Sequence, residues 1–136
     1  MVVFYIDEKI TGRVGLNKMY AGMNWRDRKE LVDYWHMLTY ASMSQCKVPR
    51  TILQHRVEIE IYVDSALDID NHGALAKLII DGMCDYILED DSRGYIYSYK
   101  VMFYKGGDRI KVVVRELPDE EIPIKKIPRK KKPRKK

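Results

Sequence analysis

The sequence has few of the features that define several large classes of protein. It contains only two cysteines, Cys46 and Cys84, in 136 residues, so we expect reduced core thiols rather than a disulfide or a cysteine-based zinc site. No apolar run approaches the roughly 18 residues that a membrane span needs. The N-terminal stretch lacks a basic region and a small-residue cleavage site, which predicts no signal peptide. We therefore expect a cytoplasmic protein with no membrane partner.

Acidic residues are absent from the C-terminal end, where basic residues are concentrated. Nine of the twelve residues from 125 to 136 are basic. Without these nine, 16 of the 25 basic residues remain against 20 acidic ones, so residues 1–124 carry −4 although the whole chain carries +5. We predict a folded domain over 1–118 and a basic, disordered tail over 119–136. Such a tail can contact nucleic-acid phosphates without sequence preference, act only as a solubilising segment, or direct nuclear import.

The apolar pattern predicts a small α+β domain. Strands are expected at 2–6, 56–63, 95–104 and 110–116, and two main helices at about 25–44 and 71–84. The strand, helix and strand between 57 and 104 form a unit that normally pairs its two strands in parallel. The last two strands are separated by Gly106-Gly107, which favours an antiparallel hairpin. We therefore predict a mixed sheet of about four strands with two helices packed against it.

An acidic segment follows the second strand. Residues 68–91, DIDNHGALAKLIIDGMCDYILEDD, contain six aspartates and one glutamate. Asp68 and Asp70 are two apart, so in extended backbone their carboxylates point the same way and repel unless a cation lies between them. Hard oxygen ligands favour Mg²⁺ or Mn²⁺. Asp91 joins this pair only if the loop after the helix folds back. The alternative is that the start of this segment only caps the helix, through the side chain of Asp70 or Asn71.

Two further residues of this segment have more than one interpretation. Lys77 can contact a phosphate or stabilise a leaving oxygen, but spacing alone favours an i,i+4 ion pair with Asp81. His72 is beside the acids; we expect it at the surface, with proton transfer as a minor alternative.

The combination of DIDN, KLIIDGM and EDDS resembles the RusA family of Holliday junction resolvases. The resemblance implies a homodimeric, Mg²⁺-dependent endodeoxyribonuclease, bacterial or phage-encoded, with Mn²⁺ as a substitute ion. It would resolve four-way junctions or other branched DNA by symmetric paired nicks during recombination or repair. The metal ligands it implies are Asp68, Asp70 and Asp91, with Lys77 as the catalytic lysine. The interval from Asn71 to Lys77 is longer than in the family.

Residues 15–35, before and along the first helix, are also similar to the family through Asn17, Tyr20 and Trp25, and this region supplies candidate DNA contacts. These residues are Asn17, Lys18, Tyr20, Arg26, Arg28 and Lys29. The aromatic strand 95–104 is expected in the core or in a dimer interface, although its rings could also stack on unpaired bases.

Two other functions are compatible with the same residues. One is a non-catalytic accessory protein that binds branched DNA and is anchored by the basic tail. The other is a structural or interaction protein whose acids only cap a helix.

Overall fold

The fold is given by a computed structural model that describes residues 1–15, 18–19, 22–91 and 93–117 and, of Arg13, only the backbone. Asn17, Tyr20 and the predicted tail at 119–136 lie outside the described residues. The main elements are β1 (Val2–Asp7), α1 (Trp25–Gln45), β2 (Val57–Val63), α2 (Gly73–Met83), β3 (Ile96–Phe103) and β4 (Arg109–Glu116). Four strands in one mixed sheet and two main helices confirm the predicted α+β class.

The sheet has the strand order β1-β4-β2-β3. β2 and β3 are parallel, as predicted for strands joined through a helix. β4 runs antiparallel to both β1 and β2. The predicted hairpin between the last two strands is therefore wrong, because β4 pairs with β1 and β2 instead of β3. Burial explains this placement: Ile110, Val112, Val113 and Val114 of β4 are all buried, and a central position covers such a strand on both edges.

The turn between β3 and β4 crosses the carboxyl end of β2. Asp64, just after β2, accepts hydrogen bonds through Oδ2 from the backbone N–H groups of Gly106 (3.2 Å) and Gly107 (2.9 Å). Gly107 has φ +61, a left-handed conformation that glycine adopts without a steric penalty. The glycine pair thus serves a crossing connection and not a two-residue hairpin.

The core lies between the helices and one face of the sheet. On β2, Val57, Ile59, Ile61 and Val63 point to this face and are fully buried. The two helices approach closely, since a Cβ added to Gly82 of α2 would lie 2.7 Å from Cβ of Thr39 on α1. The sequence pattern did not mark Thr39 as a core position. It is buried because a small residue is needed where the helices meet.

The two main helices begin in different ways. Asn24 caps α1, accepting through Oδ1 a hydrogen bond of 2.9 Å from the backbone N–H of Asp27. α2 is entered differently, through the 3₁₀ turn Ile69–His72, and no side chain caps it. The prediction that Asp70 or Asn71 caps this helix is therefore wrong.

The structure also bears on the predictions for the cysteines and for membrane-spanning helices. Both cysteines are free, as predicted, but Cys46 is exposed and Cys84 half-buried, so neither is a core residue. Across the described ranges, no helix has the length and apolar character needed to cross a membrane.

Candidate functional site at the open margin of the sheet

The turn that carries Asp68 and Asp70 is anchored by a buried histidine. His72 is only 1% exposed, so the prediction that it is a surface residue is wrong. Its Nδ1 lies 3.2 Å from the carbonyl oxygen of Ile69, and its Nε2 lies 2.7 Å from Oγ of Ser65. A carbonyl oxygen only accepts, so in the neutral ring Nδ1 donates to Ile69 and Nε2 accepts from Ser65.

The same histidine ties this turn to the sheet. Its ring meets the Phe103 ring of β3 edge-on, with centroids 5.6 Å apart, and Ser65 Oγ also accepts from the backbone N–H of Leu67 at 3.2 Å. Ser65 and His72 therefore hold the Asp68–Asp70 turn in place. Sequence reasoning missed this role, because nothing in the local pattern signals a contact with a strand thirty residues further on.

Helix α2 exposes a single stripe. Eight of its eleven residues are buried, and the three that are not, Gly73, Lys77 and Asp81, are spaced by four residues. Positions four apart lie on one helix face. The stripe therefore contains the K-x-x-x-D motif that the sequence analysis singled out, and it faces the margin of the sheet at β3.

Two adjoining grooves lie along this stripe. The Asp91 groove, of about 300 Å³, is lined by Gly73, Lys77, Ile80, Asp81, Asp91, Ile96 and Tyr99. The Asp70 groove, of about 400 Å³, is lined by Ile69, Asp70, Gly73, Tyr99, Lys100 and Val101. Gly73 and Tyr99 belong to both linings. The fold thus brings Asp70 and Asp91, from opposite ends of the acidic segment, to two sides of the same pair of residues.

The predicted metal ligands are only partly brought together. Asp68 is exposed and lines neither groove. Within the described ranges, no three histidine, cysteine, aspartate or glutamate side chains lie close enough to hold a metal ion. The three-carboxylate arrangement of Asp68, Asp70 and Asp91 is therefore not formed by this single chain. The donor chemistry still suits Mg²⁺, which usually takes one or two carboxylates and completes its coordination with water and phosphate oxygens.

The carboxylates of the two grooves differ in their partners. Asp81 Oδ2 lies 3.4 Å from Nζ of Lys77, which is the i,i+4 ion pair that the sequence analysis gave as one interpretation of this lysine. The pair is weak, since the lysine side chain is 60% exposed. Neither Asp70 nor Asp91 shows an ion pair from its carboxylate to any described residue. Their negative charge is available to a ligand.

The acids near these grooves also affect the pKa of the Cys84 thiol, just after α2. Burial is the main cause that raises the pKa of Cys84 to about 11, and the nearby carboxylates of Asp91, Asp81, Asp90 and Asp85 contribute to the same rise in that order of effect. Negative charge disfavours a thiolate, so these acids add to the effect of burial on this position. A bound cation would oppose the shift.

The candidate DNA-contact residues occupy different environments. Lys18 and Arg26 are exposed, whereas Lys29 pairs with Asp33 at 2.9 Å. Arg28 donates from its guanidinium to the carbonyl oxygens of Met19 (3.1 Å) and Met23 (3.3 Å), so it holds the loop before α1. Asn17 and Tyr20 lie outside the described residues.

The loop before α1 reaches the acidic segment. A Cβ added to Gly15 would lie 3.0 Å from Nδ2 of Asn71, so the backbone at Gly15 contacts the asparagine of the D-x-D-N motif. Gly15, three residues before the candidate contact Lys18, is therefore adjacent to the turn that carries Asp70.

The aromatic side chains of β3 are not in the core of this chain. Tyr97, Tyr99 and Phe103 are 50–55% exposed. Tyr99 and Phe103 are paired in register with Ile59 and Val63, and paired residues share a face of the sheet. The rings of Tyr99 and Phe103 therefore lie on the face of the sheet that packs against the helices, but beyond the area that the helices cover. In this position they are accessible for an interface or for stacking.

Comparisons with known proteins add no assignment. No protein-family model matches the sequence, and no curated protein matches it either.

Proposed function

We propose that this protein is a Mg²⁺-dependent endodeoxyribonuclease that cuts four-way junctions or other branched DNA, as members of the RusA family do. The observation that carries the proposal is the arrangement around the open stripe of α2. Asp70 before the helix, Lys77 on it and Asp91 after it line adjoining grooves that share Gly73 and Tyr99. These are the acidic and basic positions of the motif on which the resemblance rests.

The chain's own residues have distinct roles in this proposal. Asp70 and Asp91 are the carboxylates that would hold Mg²⁺, an ion that polarises a phosphate and generates a hydroxide nucleophile when bound. Lys77 is placed to face a phosphate oxygen, and a small movement away from Asp81 would direct its charge to the substrate. Ser65 and His72 keep the Asp70 turn in position, which matters because catalytic groups lose efficiency when displaced by about 1 Å.

Symmetric cutting requires two active centres. A four-way junction has two-fold symmetry, so a homodimer matches it and can nick two opposed strands. β3 is an edge strand with half-exposed aromatic rings, and such an edge can pair with a second copy of the chain. We place the dimer interface here. Tyr99→Glu should shift the sedimentation coefficient from dimer to monomer, and an unchanged dimer would place the interface elsewhere, for example on α1.

A nicking assay tests the catalytic proposal. Wild type and Asp70→Asn are incubated with labelled four-way junctions and with linear duplexes, with and without Mg²⁺. We expect paired nicks in the junction only with wild type and Mg²⁺, and loss of cutting by on the order of a hundredfold or more in the variant. DNA binding should persist or improve in Asp70→Asn, because one charge that repels phosphate is removed.

Asp108→Asn is the matched control, since it removes an exposed carboxylate of the turn between β3 and β4 that lines neither groove. It should cut at the wild-type rate. Full activity of Asp70→Asn would contradict the assignment. If no divalent ion supports cutting, and deletion of residues 125–136 removes DNA binding, the accessory DNA-binding function replaces the nuclease.

A further inference from the structure

A third and larger cleft lies beside the loop after α2, residues 84–91, which we call the acidic loop. It has a volume of about 820 Å³ and is lined by Arg50, Ile52, Leu53, Gln54, His55, Arg56, Asp85, Glu89, Gly94 and Tyr95. Its walls come from the connection between α1 and β2, from the loop after α2, and from the residues just before β3. The loop that contributes Glu89 to this cleft contributes Asp91 to the Asp91 groove. The cleft and the candidate active centre are therefore immediate neighbours.

Arg56 is the most unusual residue of this cleft. Its Nε is fully buried and has no hydrogen-bond partner among the residues that the structure describes. Its guanidinium lies 5.6 Å from the centroid of the Tyr97 ring. A buried donor without an acceptor is destabilising, so the half-buried Arg56 side chain has unused hydrogen-bonding capacity that suits an anionic ligand.

The strand pairing beside Arg56 is irregular. The register of β2 and β3 shifts between Val57 and Glu58, so that Ile96 and Ser98 are their partners and Tyr97 is left opposite neither. Such bulges re-aim a side chain and are frequent next to functional sites. Here the bulge leaves Tyr97 under the Arg56 guanidinium.

Arg50 supplies a second guanidinium at the same cleft. It is exposed, it lies 5.4 Å from the centroid of the Tyr40 ring, and its Nε donates a long hydrogen bond of 3.4 Å to the carbonyl oxygen of Asp85. Within the described ranges, neither Arg50 nor Arg56 forms an ion pair with a carboxylate. Guanidinium groups stacked on rings are oriented for two-pronged contacts to phosphate.

The acids of the lining limit what can bind. Asp85 and Glu89 also face the cleft, and His55 is engaged by Glu116 at 2.7 Å. A densely charged anion filling the whole cleft would be repelled by these carboxylates. One phosphate at the two arginines, with its neighbours outside, avoids that repulsion.

We propose that Arg50 and Arg56 form a phosphate-binding site for one backbone phosphate of a DNA strand whose scissile bond lies at the neighbouring grooves. The proposal deepens the nuclease function and rests on it, since it fixes where the strand leaves the active centre. None of these residues belongs to the DNA-contact set indicated by the sequence. The site would set the direction of the strand across the acidic loop.

Binding in the absence of divalent ions tests the site independently of catalysis. Anisotropy of a labelled four-way junction is measured with the full chain in EDTA over a range of salt concentrations. We expect Arg50→Gln and Arg56→Gln each to weaken binding about tenfold and to lower the slope of log K against log salt by about one. Arg56→Lys keeps the positive charge but loses the two-pronged guanidinium, so its affinity for the junction should fall between those of wild type and Arg56→Gln.

Arg109→Gln is the matched control. Arg109 also lies over a tyrosine, 4.2 Å from the centroid of the Tyr5 ring, but on the β1 side of the sheet. It should bind the junction with an affinity and salt slope close to those of wild type. Equal losses in Arg109→Gln and Arg50→Gln would overturn the site in favour of general electrostatic attraction.

The outcomes separate the two proposals. If wild type cuts junctions but Arg50→Gln and Arg56→Gln bind with unchanged affinity and slope, the phosphate site is overturned and the nuclease stands. If the variants lose binding but no divalent ion supports cutting by wild type, the site stands and the nuclease fails. Since Arg50 is exposed, its variant should fold normally, which keeps the test decisive even if Arg56→Gln is unstable.

Discussion

Strands β2 and β3 are parallel neighbours paired along their length, but the side chains of β3 are much less buried than those of β2. The inward-facing residues of β2 are fully buried, whereas Tyr99 and Phe103, on the same face of β3, are about half exposed. Both strands carry alternating large side chains, so residue type does not explain the difference. Position in the sheet does, because among the strands that the structure describes β2 has a neighbour on both edges and β3 has a neighbour on one. The central strand stabilises the fold, and the edge strand keeps Tyr99 and Phe103 about half exposed.

The largest expected difference between these strands is in stability. Ile61→Ala on β2 should lower the free energy of unfolding by about 2–5 kcal/mol, because it leaves a cavity in a closed core. Phe103→Ala on β3 should lower it by about 1 kcal/mol, mainly through the lost contact with His72. Urea unfolding of both variants measures these values. Equal losses would show that the β3 margin is as closed as the core, for example within a tight dimer.

A second comparison contrasts two kinds of acidic residue. Glu60 of β2 is 7% exposed; it contacts Arg115 and Lys100 and accepts a hydrogen bond of 3.2 Å from the Tyr62 hydroxyl. Glu60→Gln should therefore lower the free energy of unfolding by about 1–2 kcal/mol and leave cutting nearly unchanged. Asp70→Asn should alter stability by about 0.5 kcal/mol or less but remove cutting.

Urea unfolding and the nicking assay, applied to the same two variants, measure both effects. A large stability loss in Asp70→Asn would mean that this carboxylate has a structural role, which would weaken its assignment to the candidate active centre.

The smallest expected effect concerns the Cys84 thiol. Its pKa is raised to about 11 from the ordinary value of 9.0, so the folded state favours the neutral thiol. The resulting contribution to stability is fully present below pH 9 and is lost as the pH rises towards 11. At pH 8, Cys84 should react with iodoacetamide more slowly than the exposed Cys46, since the thiolate is the reacting species.

The same thiol can detect a bound cation without any measurement of cutting. Mg²⁺ held at Asp91 should lower the pKa of Cys84 and accelerate its alkylation by about threefold, and Asp91→Asn should accelerate it similarly without Mg²⁺. Mass spectrometry of the two cysteines gives the rates, with Cys46 as the internal reference. An unchanged Cys84 rate at millimolar Mg²⁺, in a protein that cuts DNA, would place the ion away from Asp91.

Much of the fold follows from local patterns. The strict alternation in β2 and the 3.6-residue spacing in both helices predicted their ends to within about two residues, because each pattern needs only one buried face. The parallel pairing of β2 and β3 also follows from the helix between them. The placement of β4 does not, since its apolar residues fit an edge next to β3 as well as the centre of the sheet.

The candidate site was predicted in part. The spacing of Asp68 and Asp70 and the K-x-x-x-D interval of α2 identify the residues, and the motif resemblance gives them roles. Sequence reasoning did not predict that His72 is buried beneath the Asp70 turn. It also did not connect Arg56 with Tyr97. Both depend on contacts between segments far apart in the chain, which local spacing does not encode.

The sequence by itself determined the α+β class, the parallel strand–helix–strand unit, the acidic character of the segment after β2 and the concentration of positive charge at the C-terminal end. These depend on side-chain periodicity and charge along a short stretch of chain. The tertiary structure alone decided that β4 lies between β1 and β2, that α2 exposes the stripe of Gly73, Lys77 and Asp81, and that Asp70 and Asp91 adjoin the same two residues. The reason is physical: apolar burial is shared among all the elements at once, so which margin stays open is fixed only when they pack together.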